Sequence, residues 1–437
     1  MLSVDPQSVQ AAALLKSTLP SEWSAIRLKF LLAAPITDGP HLTPEFTFEG
    51  FPFLSVDGIQ NGELVFEACR YVSEEDHREF SKKAAPERDD ILLGKAASTG
   101  KIARVKVDTE FSIWSPLALI RADTRQVLSA FLEYCLKSTL LQSQIDDLCS
   151  SNTQKNISMG DIPMLTLPLP SLEVQHSIAS YLDRETARID ALITEKEHML
   201  ALLEEKRAAL ISRAVTRGLD PNTPLKPSGQ EWLGEIPAHW PTTKFSWDVF
   251  ISEGQVDPED GRFSVLILVA PNHIESRTGQ ITHTETSADQ GAISGKYLCK
   301  QGDVLYSKIR PALRKVALAE EDCLCSADMY ALRPSEKLMP EYLQYFLLSE
   351  DFSTWAELES ARVAMPKINR ETLSAIRIPI PPLEEQECIV SEIRGGAKRI
   401  DLQRKYVRGS VELLKERRAA LITAAVTGQV PLEAMQP

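Results

Sequence analysis

Lys206-Arg207-Ala208-Ala209-Leu210-Ile211 and Arg417-Arg418-Ala419-Ala420-Leu421-Ile422 are one hexapeptide written twice, with a single lysine-to-arginine exchange. They stand 211 positions apart. At the same offset, Leu169-Pro170-Ser171-Leu172-Glu173-Val174-Gln175 falls on Ile380-Pro381-Pro382-Leu383-Glu384-Glu385-Gln386. Arg188-Ile189-Asp190 falls on Arg399-Ile400-Asp401, Leu202-Leu203 on Leu413-Leu414, and Ala214-Val215-Thr216 on Ala425-Val426-Thr427. No insertion or deletion is needed from about residue 162 to 217. An internal repeat of this kind decides the architecture before any local reading does.

The repeated segment has heptad spacing, the mark of a coiled coil. In the second copy Ile393, Ile400, Val407, Leu414 and Leu421 recur every seven residues, and in the first Leu182, Ile189, Lys196, Leu203 and Leu210 take the same places. Leu192, Ile193, Met199 and Leu200 are expected to widen the first stripe, and Val411 the second. Ser171 suits an N-cap, Pro382 a first helical turn, and Glu173 and Glu384 the positive end of a helix dipole. The copies run out at Gly218 and Pro221 and at Gly428 and Pro431. Each helix, at roughly 45 residues and 1.5 Å per residue, is about 68 Å long and cannot bury its stripe alone. Antiparallel pairing of the two is the expected solution. Gly395-Gly396 costs helix propensity and predicts a kink or loosened turn.

The segments between the helices repeat more loosely. Pro20-Ser21-Glu22-Trp23 matches Pro237-Ala238-His239-Trp240, Asp90-Ile91-Leu92-Leu93-Gly94-Lys95 matches Asp303-Val304-Leu305-Tyr306-Ser307-Lys308, and Lys101-Ile102-Ala103 matches Lys315-Val316-Ala317. Short β-type runs broken by Gly, Pro and Asp alternate with helical stretches near 125–148 and 340–358. Residues 218–240, rich in Pro and Gly, read as a joint. The expected fold class is α+β: two mixed α/β domains joined by two long helices in an antiparallel coiled coil. The expected boundaries are 1–160, 161–218, 219–371 and 372–437, in the order domain, helix, domain, helix. A chain of 437 residues is long enough for two to four such units.

Composition excludes several classes. Apolar residues make up 43% and charged residues 25%, normal for a core-forming protein. No run approaches the ~18 apolar residues of a membrane helix. Ala11–Leu15 lacks the basic flank of a signal peptide, so a cytoplasmic protein is expected. The seven cysteines are scattered; Cys323 and Cys325 alone are close, and free thiols are the expected reading, with no metal site. A net charge of −13 argues against a general nucleic-acid coat protein but leaves room for a local basic surface.

Signatures of catalysis are missing. There is no G-x-G, no G-x-x-x-x-G-K-[ST] and no Asn-Pro-Pro-Tyr/Phe, which leaves methyl-donor, ATP and amino-methyltransferase motifs unfilled. Glu204-Glu205-Lys206 fits an E-x-K nuclease tail but lies in the heptad helix without a Pro-Asp partner, and reads as a solvated face. His273 in Asn272-His273-Ile274-Glu275 reads as structural or a contact residue. No catalytic residue and no cofactor are assigned to the chain.

This layout resembles the specificity subunit of type I restriction-modification systems, the HsdS family. The resemblance rests on the paired helices with their Glu-Gln-like beginning and Arg-Ala-Ala-Leu-Ile end. It rests further on Gly302-Asp303-Val304-Leu305-Tyr306-Ser307-Lys308-Ile309-Arg310-Pro311, and on Asp38-Gly39-Pro40-His41 followed by Phe51-Pro52-Phe53-Leu54. It implies two target-recognition domains, each reading half of a split site in double-stranded DNA, and a coiled coil that sets their spacing. It implies docking of two modification subunits that methylate adenine with S-adenosylmethionine, and of two restriction subunits using ATP and magnesium. Divergence between the domains implies an asymmetric site. Candidate DNA contacts are the basic residues beside the paired strand-turns: Lys95, Lys101, Arg104 and Lys106 in the first domain, Lys308, Arg310, Arg314 and Lys315 in the second. Lysine and arginine attract phosphate, and arginine reads guanine with two bonds. Two other readings stand beside this one: a coiled-coil adaptor without a DNA role, and the split-off reading part of a single-chain restriction-methylation enzyme.

Overall fold

The structure, a computed structural model, describes residues 15, 17–67, 69–149, 155–361 and 366–436; Ala11 to Leu14 lie outside them. The chain divides into two compact units, Met1–Lys196 with Gly409–Pro437, and Glu197–Arg408.

In the first unit β1 (Ser24–Arg27) and β2 (Thr37–Asp38) precede β3 (Phe51–Leu54), β4 (Ile59–Gln60), β5 (Glu63–Leu64), β6 (Arg70–Val72) and helix α1 (Glu74–Ser81). Then come β7 (Ile91–Gly94), β8 (Ile102–Arg104), β9 (Ser112–Ile113), β10 (Leu117–Ile120), helices α2 (Ser129–Lys137) and α3 (Thr139–Asp147), β11 (Thr166–Leu169) and the long helix α4 (Leu172–Arg217). The central sheet is antiparallel in the order β2-β10-β7-β8. Its strands read as unbroken apolar runs because both faces are covered. Ile91, Leu93, Ala118 and Ile120 point into a core shared with α2 and α3. The alternate residues Leu92, Ala103, Leu117 and Leu119 point into a second core, on the side of the small sheet β6-β3-β9. Period-2 side-chain alternation thus builds two cores from one sheet.

The second unit repeats this plan. It contains β12 (Leu225–Pro227), β13 (Glu235–Pro237), β14 (Thr242–Lys244), a one-turn helix α5 (Phe245–Asp248), β15 (Val249–Ile251), β16 (Gln255–Val256) and β17 (Leu268–Val269). These are followed by β18 (Lys296–Cys299), β19 (Val304–Ser307), β20 (Val316–Leu318), β21 (Cys323–Cys325) and β22 (Met329–Pro334). Helices α6 (Pro340–Leu348), α7 (Glu350–Ser360) and α8 (Arg370–Ala375), strand β23 (Arg377–Pro379) and the long helix α9 (Leu383–Val426) complete the order. The sheet β15-β22-β19-β20 sends Val304, Tyr306, Val316 and Leu332 to one core and Leu305, Ala317, Met329 and Ala331 to the other.

Both long helices run unbroken, and each has its ends in different units. In the first unit Ile178 and Leu182 near the start of α4 share a core with Ile422, Ala425 and Val426 at the end of α9. In the second, Ile211, Ala214 and Val215 at the end of α4 share one with Ile389, Val390 and Ile393 near the start of α9. Within each unit the two segments are therefore antiparallel.

A buried glutamine ties each helix start to its domain. Gln175 accepts from Leu128 N at 2.8 Å and donates to the carbonyls of Gln126 and Pro170 at 3.0 Å. Gln386, 211 positions later, accepts from Met339 N and donates to Lys337 and Pro381, each at 2.8 Å. Losing either amide removes the partner of three backbone groups, one of them the carbonyl of a buried proline. Gly218 and Gly428, with φ of +74° and +75°, end the helices in the left-handed conformation that favours glycine.

Two expectations change. Gly395 and Gly396 do not interrupt α9, which stays helical through both. A Cβ on Gly396 would meet Leu210 Cδ2 at 2.4 Å, so the glycine admits that leucine to the helix surface. Leu192 and Met199 are 45% and 48% exposed and do not widen the seam, because they fall outside its three-four spacing. Ile193, Leu200 and Val411 fall inside it and are covered in part or fully.

Candidate nucleic-acid and partner surfaces

The strand-turns that carry the predicted DNA contacts occupy the same place in both units. Lys95 follows β7, and its carbonyl accepts from Ile157 N at 3.0 Å. Lys308 follows β19, and its carbonyl accepts from Ile368 N at 2.9 Å. Ile157 and Ile368 are again 211 positions apart.

In the first unit the cations are largely engaged within the domain. Lys95 Nζ lies 2.8 Å from Asp38 Oδ2 with little of its side chain in water, and Lys83 bonds the other oxygen at 2.5 Å. Burial works against the Asp38 carboxylate, but the bonds and charges of Lys83 and Lys95 outweigh it and hold its pKa below the ordinary value. Gly39 is required beside it, since a Cβ would meet Ile113 O at 1.8 Å. Arg104 spans Asp89 at 2.6 Å and the buried Glu133 at 3.0 Å. Lys106 bonds Glu63 at 2.6 Å. Lys101 is half-buried where β8 begins.

The second unit is different. Lys308 Nζ stands over the Tyr330 ring at 5.3 Å, and the Arg370 guanidinium lies 5.9 Å from the same ring. Burial lowers the Lys308 pKa; Asp328 opposes this, and Lys367 and Arg370 add to it. Arg310 is exposed in the left-handed region, at φ 47°, with its N–H bonded to Pro366 O at 3.0 Å. Arg314 is mostly covered and lies 3.6 Å from Glu350. Lys315 Nζ donates to Pro271 O at 2.5 Å. Lys367 and Arg370 join this basic group and were not singled out in the sequence. The signal was present in the register that aligns Ile157 with Ile368, but it carries no basic pattern of its own.

The helix positions fare as follows. Leu182, Ile189, Ile393 and Ile400 are buried, whereas Leu203, Leu210, Val407, Leu414 and Leu421 are half-buried. The other half of the seam is partly polar: Thr186, Arg207, Arg404 and Arg418 stand among Ile193, Leu200, Ala214, Ala397, Val411 and Ala425. Heptad reading follows apolar residues and passes over such arginines. Glu204 bonds Arg404 at 2.9 Å while remaining exposed, and Glu205 and Lys206 are exposed beside it, as expected of a solvated face.

His273 is buried, and its Nδ1 lies 3.2 Å from Ala270 N and 3.1 Å from Leu268 O. Its role is to close a turn. All seven cysteines are free thiols. Among the described residues no cluster of metal-ligating side chains forms, and no described helix is long and apolar enough to cross a membrane.

Comparison with known proteins agrees with this duplicated plan. The family model described as "Type I restriction modification DNA specificity domain" matches residues 20–200 and 277–404. The chain is 30% identical over 319 residues to the type I restriction enzyme EcoDI specificity subunit of Escherichia coli, covering 70% of each. It is 22% identical to the MjaVIII specificity subunit of Methanocaldococcus jannaschii, covering 94% of each. A solved chain from a study of type I R-M complex assembly and conformational transition superposes with a TM-score of 0.66 at 19% identity, covering 94% of this chain and 99% of that one. The chain belongs to the specificity subunits of type I restriction-modification systems. Its place in such a system is DNA recognition rather than catalysis, and the family requires no cofactor in this chain.

Proposed function

We propose that residues 1–160 and 219–371 each read one half of an asymmetric, split DNA site, while the helices of 161–218 and 372–437 set the half-site spacing. The helices dock two adenine-methyltransferase subunits, which hold S-adenosylmethionine; two restriction subunits using ATP and magnesium complete the enzyme in the cytoplasm. The observation that carries this reading is the duplicated strand-turn. The same sheet, in two copies, presents its turn next to a strand-bonded segment, at Lys95 and at Lys308. Around that common frame the charged side chains differ, as two heads reading different sequences require. Two tethered readers at fixed separation gain affinity through effective concentration, and spacing follows from the connector as in dimeric DNA readers. In the second domain Lys308, Arg310 and Lys367 form the proposed contact group. In the first, Lys101 and the outer faces of Lys106 and Arg104 are the candidates, with Lys95 holding the turn through Asp38.

The test is co-expression with the modification subunit of the same host in a methylation-free strain, followed by long-read mapping of modified bases. A split, asymmetric motif with adenine methylated in both halves is expected. Active methyltransferase with no sequence preference would overturn the reading and favour an adaptor.

A further inference from the structure

Besides its core, the repeat preserves something in water. Phe30 and Trp247 occupy equivalent positions, at the offset that aligns Trp23 with Trp240. Two residues before them, Leu28 and Phe245 are fully buried. Their backbone N–H groups make the same bond, to Leu165 O and Ile376 O, each at 2.8 Å. Phe30 closes a 3-10 turn and Trp247 lies in α5. Phe30 is 61% exposed and Trp247 is 73% exposed. Folding explains Leu28 and Phe245; it gives no reason to hold a large ring in water twice.

In both units the ring lies at the end of the central sheet remote from the basic strand-turn. In the first, Lys95 follows Gly94, which pairs with Leu117 at one end of β10. Phe30 precedes the bridge Leu32↔Ala122 beyond the other end. In the second, Lys308 N bonds Asp328 O just before β22 begins, whereas Trp247 precedes Val249, which pairs with Pro334 where β22 ends. Six strand residues, at about 3.4 Å each, separate these ends by roughly 17–20 Å.

The surroundings favour protein over phosphate. Beside Trp247 lies a groove of about 470 Å³ lined by Phe250, Arg333, Pro334 and Arg370. Arg333 is held by both oxygens of Asp303 at 2.8 Å, and Arg370 by Glu253 at 2.8 Å. Near Phe30, Arg121 is held by Asp90 in the same two-pronged way, and Lys29 lies over the Phe30 ring at 4.9 Å. At Trp247 the apolar ring stands within a rim of neutralised charge, the composition of a protein-binding anchor, whereas a phosphate surface presents uncompensated cations.

We propose that Phe30 and Trp247 are equivalent anchors for two copies of one protein partner, the modification subunit. The inference rests on the function proposed above and assigns that subunit a contact on each recognition domain, away from the DNA-facing turn. A contact kept in both copies meets the same chemistry twice; a base-reading contact meets a different sequence in each half.

The experiment titrates purified full-length chain with the modification subunit of the same host and reads stoichiometry by native mass spectrometry and affinity by calorimetry. Phe30→Ser and Trp247→Ser should each leave one modification subunit bound normally and weaken the other roughly thirtyfold. The double variant should lose both, while Phe30→Trp and Trp247→Phe retain two. Both residues are exposed, so thermal unfolding should not change. Two tightly bound subunits on the double variant would overturn the proposal. So would unchanged assembly with weakened DNA binding, which would make the rings DNA contacts. A wild-type chain that bound no modification subunit would bring down the functional reading itself, and the anchor assignment with it.

Discussion

Arg207 Nη1 donates to Asp401 Oδ1 at 2.5 Å across the paired helices of the second unit. The repeat equivalents Arg418 and Asp190 approach to 3.0 Å in the first, but without hydrogen-bond alignment at Nε. One sequence relationship has thus produced two pairs of unequal weight. Only 7% of the Arg207 side chain is exposed, and Nη2 also bonds Thr278 O at 3.1 Å; the Arg418 and Asp190 side chains are 28% and 49% exposed. Removing one partner of a covered pair leaves a charge with no compensation. Asp401→Ala should cost about 2–3 kcal/mol, less than a fully buried pair because Asp401 keeps water contact. Asp190→Ala should cost under ~1 kcal/mol. Amide exchange within residues 201–211 and within 186–193 reads the two separately; equal effects would refute the asymmetry.

The two adjacent glycines of α9 separate in the same manner. A Cβ on Gly395 would find nothing nearer than Arg399 Nη1 at 3.7 Å. Gly395→Ala should therefore stabilise the helix by about 1 kcal/mol through propensity alone. Gly396→Ala gains the same propensity but must displace Leu210 Cδ2, so it should be neutral or destabilising. Denaturant midpoints of the two variants test this, and equal gains would show that Leu210 moves freely.

How much of this was legible in the sequence depends on the physics of each feature. The helices were, because seven-residue spacing of Ile393, Ile400 and their counterparts survives in any alignment of the chain with itself. The strands of the central sheets were, because Ile91-Leu92-Leu93 and Val304-Leu305-Tyr306 are apolar throughout. Arg207, Arg404 and Arg418 were not, since burial of an arginine depends on a partner supplied by the other helix. Nor was the engagement of Lys95 by Asp38, 57 positions away, which only the fold brings together. Exposed rings such as Trp247 leave no periodic trace, because exposure is a property of what fails to cover them.

The Asp38 carboxylate gives a pH test. Its folded pKa is depressed, so the group contributes stability that is present above the unfolded value of about 3.9. That contribution is lost as pH falls through the folded pKa. Asp38→Asn leaves Lys95 covered and without its carboxylate, and should cost about 2–3 kcal/mol at neutral pH. Below pH ~4 the difference between wild type and variant should shrink steadily. Thermal unfolding of both proteins across that window checks it; a difference that stays constant into acid would mean that Asp38 carries no stabilising charge.

Lys308 and Arg310 differ from Lys95 in making no ion pair with a carboxylate among the described residues, Asp328 acting on Lys308 only at longer range. Burial depresses the Lys308 pKa, and Lys367 and Arg370 add to this against the pull of Asp328. An approaching phosphate would relieve that repulsion and restore the full charge. Binding and protonation are then linked, so DNA affinity should rise as pH is lowered from above the Lys308 pKa. Lys308→Ala and Arg310→Ala should each reduce the slope of log affinity against log salt by ~1 if each neutralises one phosphate. Lys315→Ala, whose ammonium is held by Pro271 O, should reduce it less. Measured on the assembled complex with its mapped site, an unchanged slope in the Lys308→Ala/Arg310→Ala double variant would place the DNA elsewhere on the second domain. The strand-turn would then be a structural device kept in both copies for its fold alone.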